Sequence, residues 1–193
     1  MSVIVAIKED GVVYMGADSQ TTAGMRKRSY LNETGFKIIR LENGMLVGFC
    51  GRVAAKQIIM SMDDVFTVDE NGELTKRHIV KQILPKLVDK MQDIGDEQSG
   101  DLDVSILLAH KGNLYHIGPR LDVLKLNEYG RSGAGLLFVH YALRKRKDLP
   151  VRERILKALC DSARRTESVG GPYVLIDTKD RAYEIVDLGG ENY

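Results

Sequence analysis

Short apolar runs separated by turn signals predict a series of β-strands. Asp10-Gly11 joins the first two runs, and Asn43-Gly44 joins the next two; both dipeptides are typical of tight hairpin turns. Further hairpins are predicted around Lys111-Gly112 and Lys179-Asp180. The predicted strands cover residues 2–7, 12–16, 36–41, 45–50, 104–109, 113–117, 173–177 and 182–186, with a further short strand at 121–126.

Four longer segments have apolar residues at helical spacing and therefore predict amphipathic helices. They cover residues 53–66, 76–94, 136–147 and 150–165. Thr75 is placed to cap the second helix, and Pro85 is expected to kink or break it. Pro150 suits the start of the fourth helix.

Two polar segments are predicted to be loops. The first contains Arg26-Lys27-Arg28, and the absence of interleaved aromatic residues favours a solvated loop over a nucleic-acid contact. The second, Gly130 to Gly135, is interpreted as the turn that introduces the third helix. The first strand, by contrast, is apolar at both alternating sets of positions after Ser2, which predicts a strand covered on both faces.

The order of elements is four strands, two helices, two strands, two helices and two strands. Each helix pair needs a sheet face on which to bury its apolar stripe, so this order suits two stacked sheets between two helix layers. A generic α+β domain fits the same periodicity. At 193 residues the chain is expected to form a single domain, residues 1–193.

Composition narrows the classes of partner. The net charge of +1 and the pI near 7.7 give no field that would gather nucleic acid or an anionic membrane. No run approaches the length of a membrane span, and the apolar start is too short for a signal peptide, so we expect a cytoplasmic protein.

Cysteine and histidine spacing suggests neither a disulfide framework nor a metal site. Cys50 and Cys160 are far apart and are interpreted as buried, reduced thiols. No metal or other cofactor is predicted, because the histidines lack ligand spacing; they are residues 78, 110, 116 and 140.

Five segments in order resemble the proteasome β-subunit and HslV-like family of N-terminal nucleophile (Ntn) hydrolases. They are Gly16-Ala17-Asp18-Ser19-Gln20 after the opening hairpin, Lys37, Gly48-Phe49-Cys50-Gly51, Leu107-Leu108-Ala109, and Ser132-Gly133. The resemblance implies a four-layer αββα sandwich. It also implies catalysis by a hydroxyl at the mature N-terminus, whose own α-amino group acts as the base.

In this resemblance Ser2 is the nucleophile, which requires removal of Met1. Serine is small enough for ordinary removal of an initiator methionine. A retained Met1 would turn the amine into an amide, and Ser2 would then be merely the second residue of the chain.

Four further residues match the family's catalytic positions. Lys37 would lie beside the nucleophile with Asp18 as its partner, Gly51 would supply an oxyanion-hole N–H, and Ser132 would hydrogen-bond the amine. Simpler interpretations stay open: a solvent-facing Lys37 with Asp18 capping a turn, a turn glycine, and a helix cap at Ser132.

The chain departs from the family pattern near its fourth helix. The family has an Asp and, three residues later, a Ser; without gaps these positions hold Thr166 and Val169. A one-residue shift would let Thr166-Glu167-Ser168 substitute. This departure bears on the orientation of the amine.

The resemblance also implies a specificity pocket and partners. Thr21, Gly35, Phe49 and Val53 would line a pocket for a small apolar side chain, although Phe49 and Val53 suit the core equally well. Ring or stacked-ring homo-oligomers, an ATP-dependent unfoldase, and peptide or unfolded-protein substrates are the implied partners. The alternatives are a catalytically silent structural subunit and an Ntn amidase or acyltransferase that acts on a non-protein substrate.

Overall fold

Two antiparallel five-stranded sheets form the framework of the protein. The computed structural model describes residues 2–23, 26–29, 36–61, 64–92, 104–180 and 182–188. The strands are β1 (Val3–Glu9), β2 (Val12–Asp18), β3 (Gln20–Ala23), β4 (Arg26–Ser29), β5 (Ile38–Arg40), β6 (Leu46–Gly51), β7 (Val104–His110), β8 (Asn113–Ile117), β9 (Val123–Leu126), β10 (Tyr129–Gly133), β11 (Tyr173–Asp177) and β12 (Glu184–Val186).

The first sheet has the order β10-β1-β2-β11-β12, and the second has the order β5-β6-β7-β8-β9. Strands β3 and β4 form a separate hairpin. The helices are α1 (Val53–Met60), α2 (Lys76–His78), α3 (Leu84–Gln92), α4 (Leu136–Lys145) and α5 (Val151–Ala163), with a π-helical segment (Ile79–Ile83) between α2 and α3.

Three apolar clusters hold four layers together. One packs the first sheet against α4 and α5, and another packs the second sheet against α1, α3 and the π-helical segment. The third, the inter-sheet layer, lies between the sheets and contains Ile4, Ala6, Val13, Met15, Ala17, Ile38, Leu46, Cys50, Leu107, Ala109, Leu114 and Ile176. The predicted sandwich of two sheets between helix layers is confirmed.

Strand β1 is buried on both faces, as its sequence predicts. Val3, Val5 and Ile7 pack toward α4 and α5. Ile4 and Ala6 alternate with them and enter the inter-sheet layer. The first strand therefore runs through the middle of the molecule and brings the start of the chain to one end of that layer.

The predicted helices need two corrections. The first helix ends at Met60 rather than at residue 66, although Val65 and Phe66 beyond it are buried. The second helix is capped as predicted, with the Thr75 hydroxyl accepting from the His78 N–H at 3.2 Å. Pro85 does not break it; the π-helical segment comes just before, where the proline has no N–H to donate to an earlier carbonyl.

Both segments interpreted as loops contain strands. Arg26–Ser29 forms β4 in the small hairpin, and Tyr129–Gly133 forms β10 beside β1. Neither strand has the apolar alternation that marked the others. In the described part of the chain, no helix has both the length and the apolar character that a membrane span needs.

Candidate active site

The start of the chain is tied by its backbone to the turn after β10. Val3 pairs with Gly133, and the Ser2 carbonyl accepts a hydrogen bond from the Ala134 N–H at 2.6 Å. Gly133 has a φ of 101°, and a Cβ there would lie 1.9 Å from the Ser2 carbonyl oxygen. Only glycine allows this close approach, so this turn fixes the position of Ser2.

A buried ion pair lies next to this start. The Lys37 Nζ donates to Asp18 Oδ1 at 2.7 Å and to the Gln20 carbonyl at 2.6 Å, and its side chain is only 6% exposed. Asp18 Oδ1 also accepts from the Val3 N–H at 2.9 Å. Asp18 therefore connects the lysine directly to the backbone of the residue after Ser2.

Burial raises the pKa of the Asp18 carboxyl above its ordinary value, while the Lys37 ammonium and the N–H groups of Val3 and Gly170 act in the opposite direction. Lys56 on α1 adds a second cation near the pair. Burial, with the charge of Lys37, lowers the pKa of Lys56 to about 8. The charges of Lys37 and Lys56 therefore interact at this end of the structure.

Ser132 belongs to a hydrogen-bonded chain of side chains. It lies on β10 opposite Ile4 and is 2% exposed. Its Oγ donates to Ser105 Oγ at 2.8 Å, and Ser105 Oγ lies 2.6 Å from His116 Nε2. Sequence reasoning named Ser132 but missed Ser105 and His116.

Cys50 lies beside the same serine. A Cβ on Gly133 would be 2.9 Å from the Cys50 sulfur. Burial raises the pKa of the Cys50 thiol to about 12, so the group is a neutral thiol at neutral pH. Both Cys50 and Cys160 are free cysteines, but only Cys50 is buried; Cys160, predicted to be buried as well, is partly exposed.

Gly51 follows Cys50 at the end of β6, just before α1. It is exposed and has a φ of 149°, a conformation that favours glycine. Its position at the start of a helix suits an N–H that faces an anion.

The segment after α5, where the chain departs from the family pattern, packs against the same site. The Gln20 side chain donates to the Glu167 carbonyl at 2.8 Å, and the Gly170 N–H lies 3.4 Å from Asp18 Oδ2. Val169 is buried in the apolar cluster of the first sheet. Ser168 is 8% exposed, and its hydroxyl has no hydrogen-bond partner among the described residues.

Thr166, at the position of the family Asp, lies near the turn after Ser132. A Cβ on Gly135 in that turn would be 3.0 Å from the Thr166 Oγ1. The Thr166 hydroxyl therefore lies beside the turn that follows Ser132, and it carries no charge.

The structure describes the four predicted pocket residues only in part. Thr21 lies on β3 and is partly buried. Phe49 is 2% exposed and packs in the cluster between the second sheet and its helices. Gly35 and the side chain of Val53 lie outside the described part of the structure. A pocket role for these residues stays a prediction.

Signals for the missed residues exist in the sequence. Ser105 interrupts the apolar run Val104 to Ala109 at an inward position, and His116 occupies an inward position on the neighbouring strand. Lys56 offers no such signal, since a lysine within a helix is ordinary. Among the described residues, no group of three or more His, Cys, Asp or Glu side chains could hold a metal ion.

Comparison with known proteins finds similar structures at low sequence identity. No protein-family model and no curated protein matches the chain. Solved structures do match. Thiobacillus denitrificans BPH has a TM-score of 0.75 at 17% identity, covering 91% of this chain and 96% of that one.

Two further matches have related architectures. Anbu (ancestral beta-subunit) from Yersinia bercovieri has a TM-score of 0.71 at 16% identity, covering 97% of this chain and 87% of that one. Eukaryotic HslV from Trypanosoma brucei has a TM-score of 0.64 at 16% identity, covering 91% and 98%. The likeness read from the five sequence segments is thus confirmed at the level of fold: the chain has the αββα fold of the proteasome-type Ntn hydrolases.

Proposed function

We propose that the protein is a proteasome-like Ntn peptidase that cleaves amide bonds through an acyl-enzyme on Ser2 once Met1 has been removed. The observation that carries the proposal is the buried Asp18–Lys37 pair, which contacts the backbone of the residue after Ser2. A buried ion pair is costly to maintain for stability alone, so its position beside the chain start favours a chemical role.

In the first step the Ser2 hydroxyl oxygen attacks the substrate carbonyl carbon, and the Ser2 α-amine accepts the hydroxyl proton. An α-amine suits this role because its ordinary pKa is about 7.7–8.0. The Lys37 ammonium stabilises the negative charge that develops on the hydroxyl oxygen, and the Gly51 N–H faces the resulting oxyanion.

In the second step the tetrahedral intermediate collapses. The bond from the carbonyl carbon to the leaving nitrogen breaks, and the protonated α-amine gives its proton to that nitrogen. Water, deprotonated by the same amine, then attacks the carbonyl carbon of the ester on Ser2. The bond from that carbon to the Ser2 oxygen breaks, the oxygen takes the proton back from the amine, and the acid is released. Asp18 keeps Lys37 in place through the 2.7 Å contact. Ser132 is assigned to hold the amine on the family resemblance.

Substrate preference and assembly follow from the same proposal. On the sequence resemblance, Thr21, Gly35, Phe49 and Val53 are proposed to line a pocket for a small apolar side chain. Leu137 and Tyr141 lie one turn apart on α4 and are 79% and 67% exposed, which suits a contact with another subunit in a ring. An unfoldase partner rests on the sequence resemblance alone, and a cytoplasmic location stays an expectation from the sequence.

Two rival functions predict different results. A silent structural subunit would keep the fold with Met1 retained, and the replacement of the family Asp and Ser by Thr166 and Val169 is the observation that favours it. An amidase or acyltransferase would use the same nucleophile on small amides.

The test combines intact mass with turnover. Mass spectrometry of the protein from its native host should show a population without Met1, and that population should cleave a panel of unfolded peptides. Ser2→Thr should retain cleavage, because it keeps the hydroxyl, and Ser2→Ala should abolish it. Retention of Met1 under every condition would contradict the proposal, and activity on small amides alone would favour the amidase.

A further inference from the structure

The side-chain chain Ser132–Ser105–His116, here called the hydroxyl relay, leads from the candidate site into the second sheet. Ser132 lies on β10 opposite Ile4, a member of the inter-sheet layer. Ser105 lies two residues before Leu107 on β7, and His116 pairs with Leu107 on β8. Strand alternation therefore directs all three side chains into the layer between the sheets.

The direction of this relay depends on which His116 nitrogen carries the hydrogen, and with Ser132 as the donor to Ser105 it runs toward His116. A serine hydroxyl has one hydrogen to donate. Ser132 donates to Ser105, so the Ser105 hydrogen is left for His116, whose Nε2 must then be the unprotonated acceptor. In this state the Ser132 oxygen presents only lone pairs to its other neighbours.

Protonation of His116 would reverse every bond. An imidazolium carries N–H groups at both nitrogens, so Nε2 would donate to Ser105. Ser105 would then donate to Ser132, and the Ser132 hydrogen would become available to another acceptor. With Ser132 holding the Ser2 amine, as the proposed function has it, that hydrogen competes for the lone pair that a general base needs.

Resting on the function proposed above, we propose that His116 is a positioning residue that acts through Ser105 to set the direction of the Ser132 hydroxyl. Neutral His116 leaves the Ser132 oxygen as an acceptor for an N–H of the Ser2 amine and so directs the amine lone pair at the Ser2 hydroxyl. Protonated His116 turns the amine away from its role as base.

The charges around His116 support a neutral resting state. Burial lowers the pKa of His116, while Asp122, from the turn before β9, acts in the opposite direction. Strands β7 and β10 contribute the two hydroxyls, and β6 contributes the neutral Cys50 thiol. The pKa of this thiol is lowered by the charge of Lys37 and raised by that of Asp18.

The first experiment compares the pH dependence of kcat/KM in two variants. In the wild-type protein lacking Met1, kcat/KM in acid should be inversely proportional to the square of the proton concentration, because both the amine and the imidazole gain a proton. His116→Gln keeps a hydrogen-bonding group near Nε2 but cannot titrate, so it should lose about threefold in kcat/KM near pH 8 and fall only with the first power. His140→Gln, outside the relay, is the matched control. An acid limb in His116→Gln equal to that of the wild type would overturn the proposal.

The second experiment tests the middle of the relay. Ser105→Ala leaves Ser132 without its acceptor and should lower kcat/KM by about tenfold. Ser105→Thr keeps the hydroxyl and should restore the rate to within about threefold of the wild type. Equal rates in the Ala and Thr variants would overturn the proposal.

A third measurement does not depend on turnover. NMR titration of the His116 ring protons should show an additional inflection at the pKa of the amine in protein lacking Met1, and none in protein that retains it. Superimposable curves would overturn the relay even if peptidase activity is established. Coupled curves without any acylation of Ser2 would leave the relay standing and contradict the proposed peptidase.

Discussion

The two ends of the inter-sheet layer differ in chemistry although the same strands build both. Through most of its length the layer is apolar and closely packed: a Cβ on Gly48 would lie 2.9 Å from the Met15 methyl carbon and 3.1 Å from Ile4. At the end near Ser2 the strands instead contribute Asp18 and the hydroxyl relay, and the residue before β5 contributes Lys37.

This difference separates residues that hold the sheets together from residues placed for chemistry. Buried charge and hydroxyl groups weaken a core unless every one is paired. Placing them at one end, with glycines that let the chain start approach, costs stability that apolar residues would have supplied. Substitutions at the two ends should therefore have separable effects on stability and on rate.

The largest effect is expected at the ion pair. Lys37→Met leaves the Asp18 carboxylate buried without its cation and should lower the free energy of unfolding by about 3–5 kcal/mol, with loss of turnover. Urea denaturation measures the first effect and peptide cleavage the second.

The double variant Asp18→Leu/Lys37→Met is the control for this prediction. It should recover most of the stability, because an apolar pair can replace a buried ion pair, but none of the activity. A single Lys37→Met variant as stable as the wild type would show that the pair is not buried as described.

At the apolar end of the layer, a similar loss of stability is expected without a loss of catalytic rate. Met15 is fully buried, so Met15→Ala should cost about 2–4 kcal/mol. The rate per folded molecule should stay unchanged, and Met15→Leu, which conserves volume, should cost less than about 1.5 kcal/mol. A specific rate that falls with stability would remove the distinction between the two ends.

A smaller effect is expected at the turn that fixes Ser2. Gly133→Ala would place a Cβ against the Ser2 carbonyl and should cost about 2 kcal/mol. It should also lower the rate by displacing the nucleophile. Gly130→Ala is the matched control on the same strand, because its Cβ meets only the ends of flexible leucine side chains. Equal rates for the two variants would argue that the turn does not position Ser2.

The smallest effect concerns Lys56, whose pKa is lowered to about 8. Below pH 8 the native state carries an unfavourable charge, and stability should rise as pH increases from about 8 toward 10.5, because the unfolded state then binds more protons. Lys56→Gln should therefore stabilise the protein at pH 7 by about 1 kcal/mol, less than the shift implies because the side chain is partly exposed. Urea denaturation at pH 7 and at pH 10.5 should show that the gain in stability is present at pH 7 and lost at pH 10.5.

The sequence predicts most of the fold because local signals agree with it. Hairpin turns such as Asp10-Gly11 adopt the left-handed conformations that their residues favour. The sequence does not predict strand β10, because Gly130 and Gly133 allow close packing with their neighbours and leave the strand without the apolar side chains that mark a buried face.

The site was less predictable from the sequence. Asp18 and Lys37 were identified only through family resemblance, since a contact between distant strands has no local pattern. Ser105 and His116 become recognisable only when strand pairing puts them beside Ser132.

The most direct test of the account is the location of a covalent acyl group after reaction with a β-lactone, whose ring opens when a hydroxyl oxygen forms the new ester bond. Mass mapping of peptides from protein lacking Met1 should place the acyl group on Ser2, with no modification of protein that retains Met1 or of Ser2→Ala. Acylation elsewhere, or equal acylation in the presence and absence of Met1, would contradict the central claim that Ser2 reacts through its own amine.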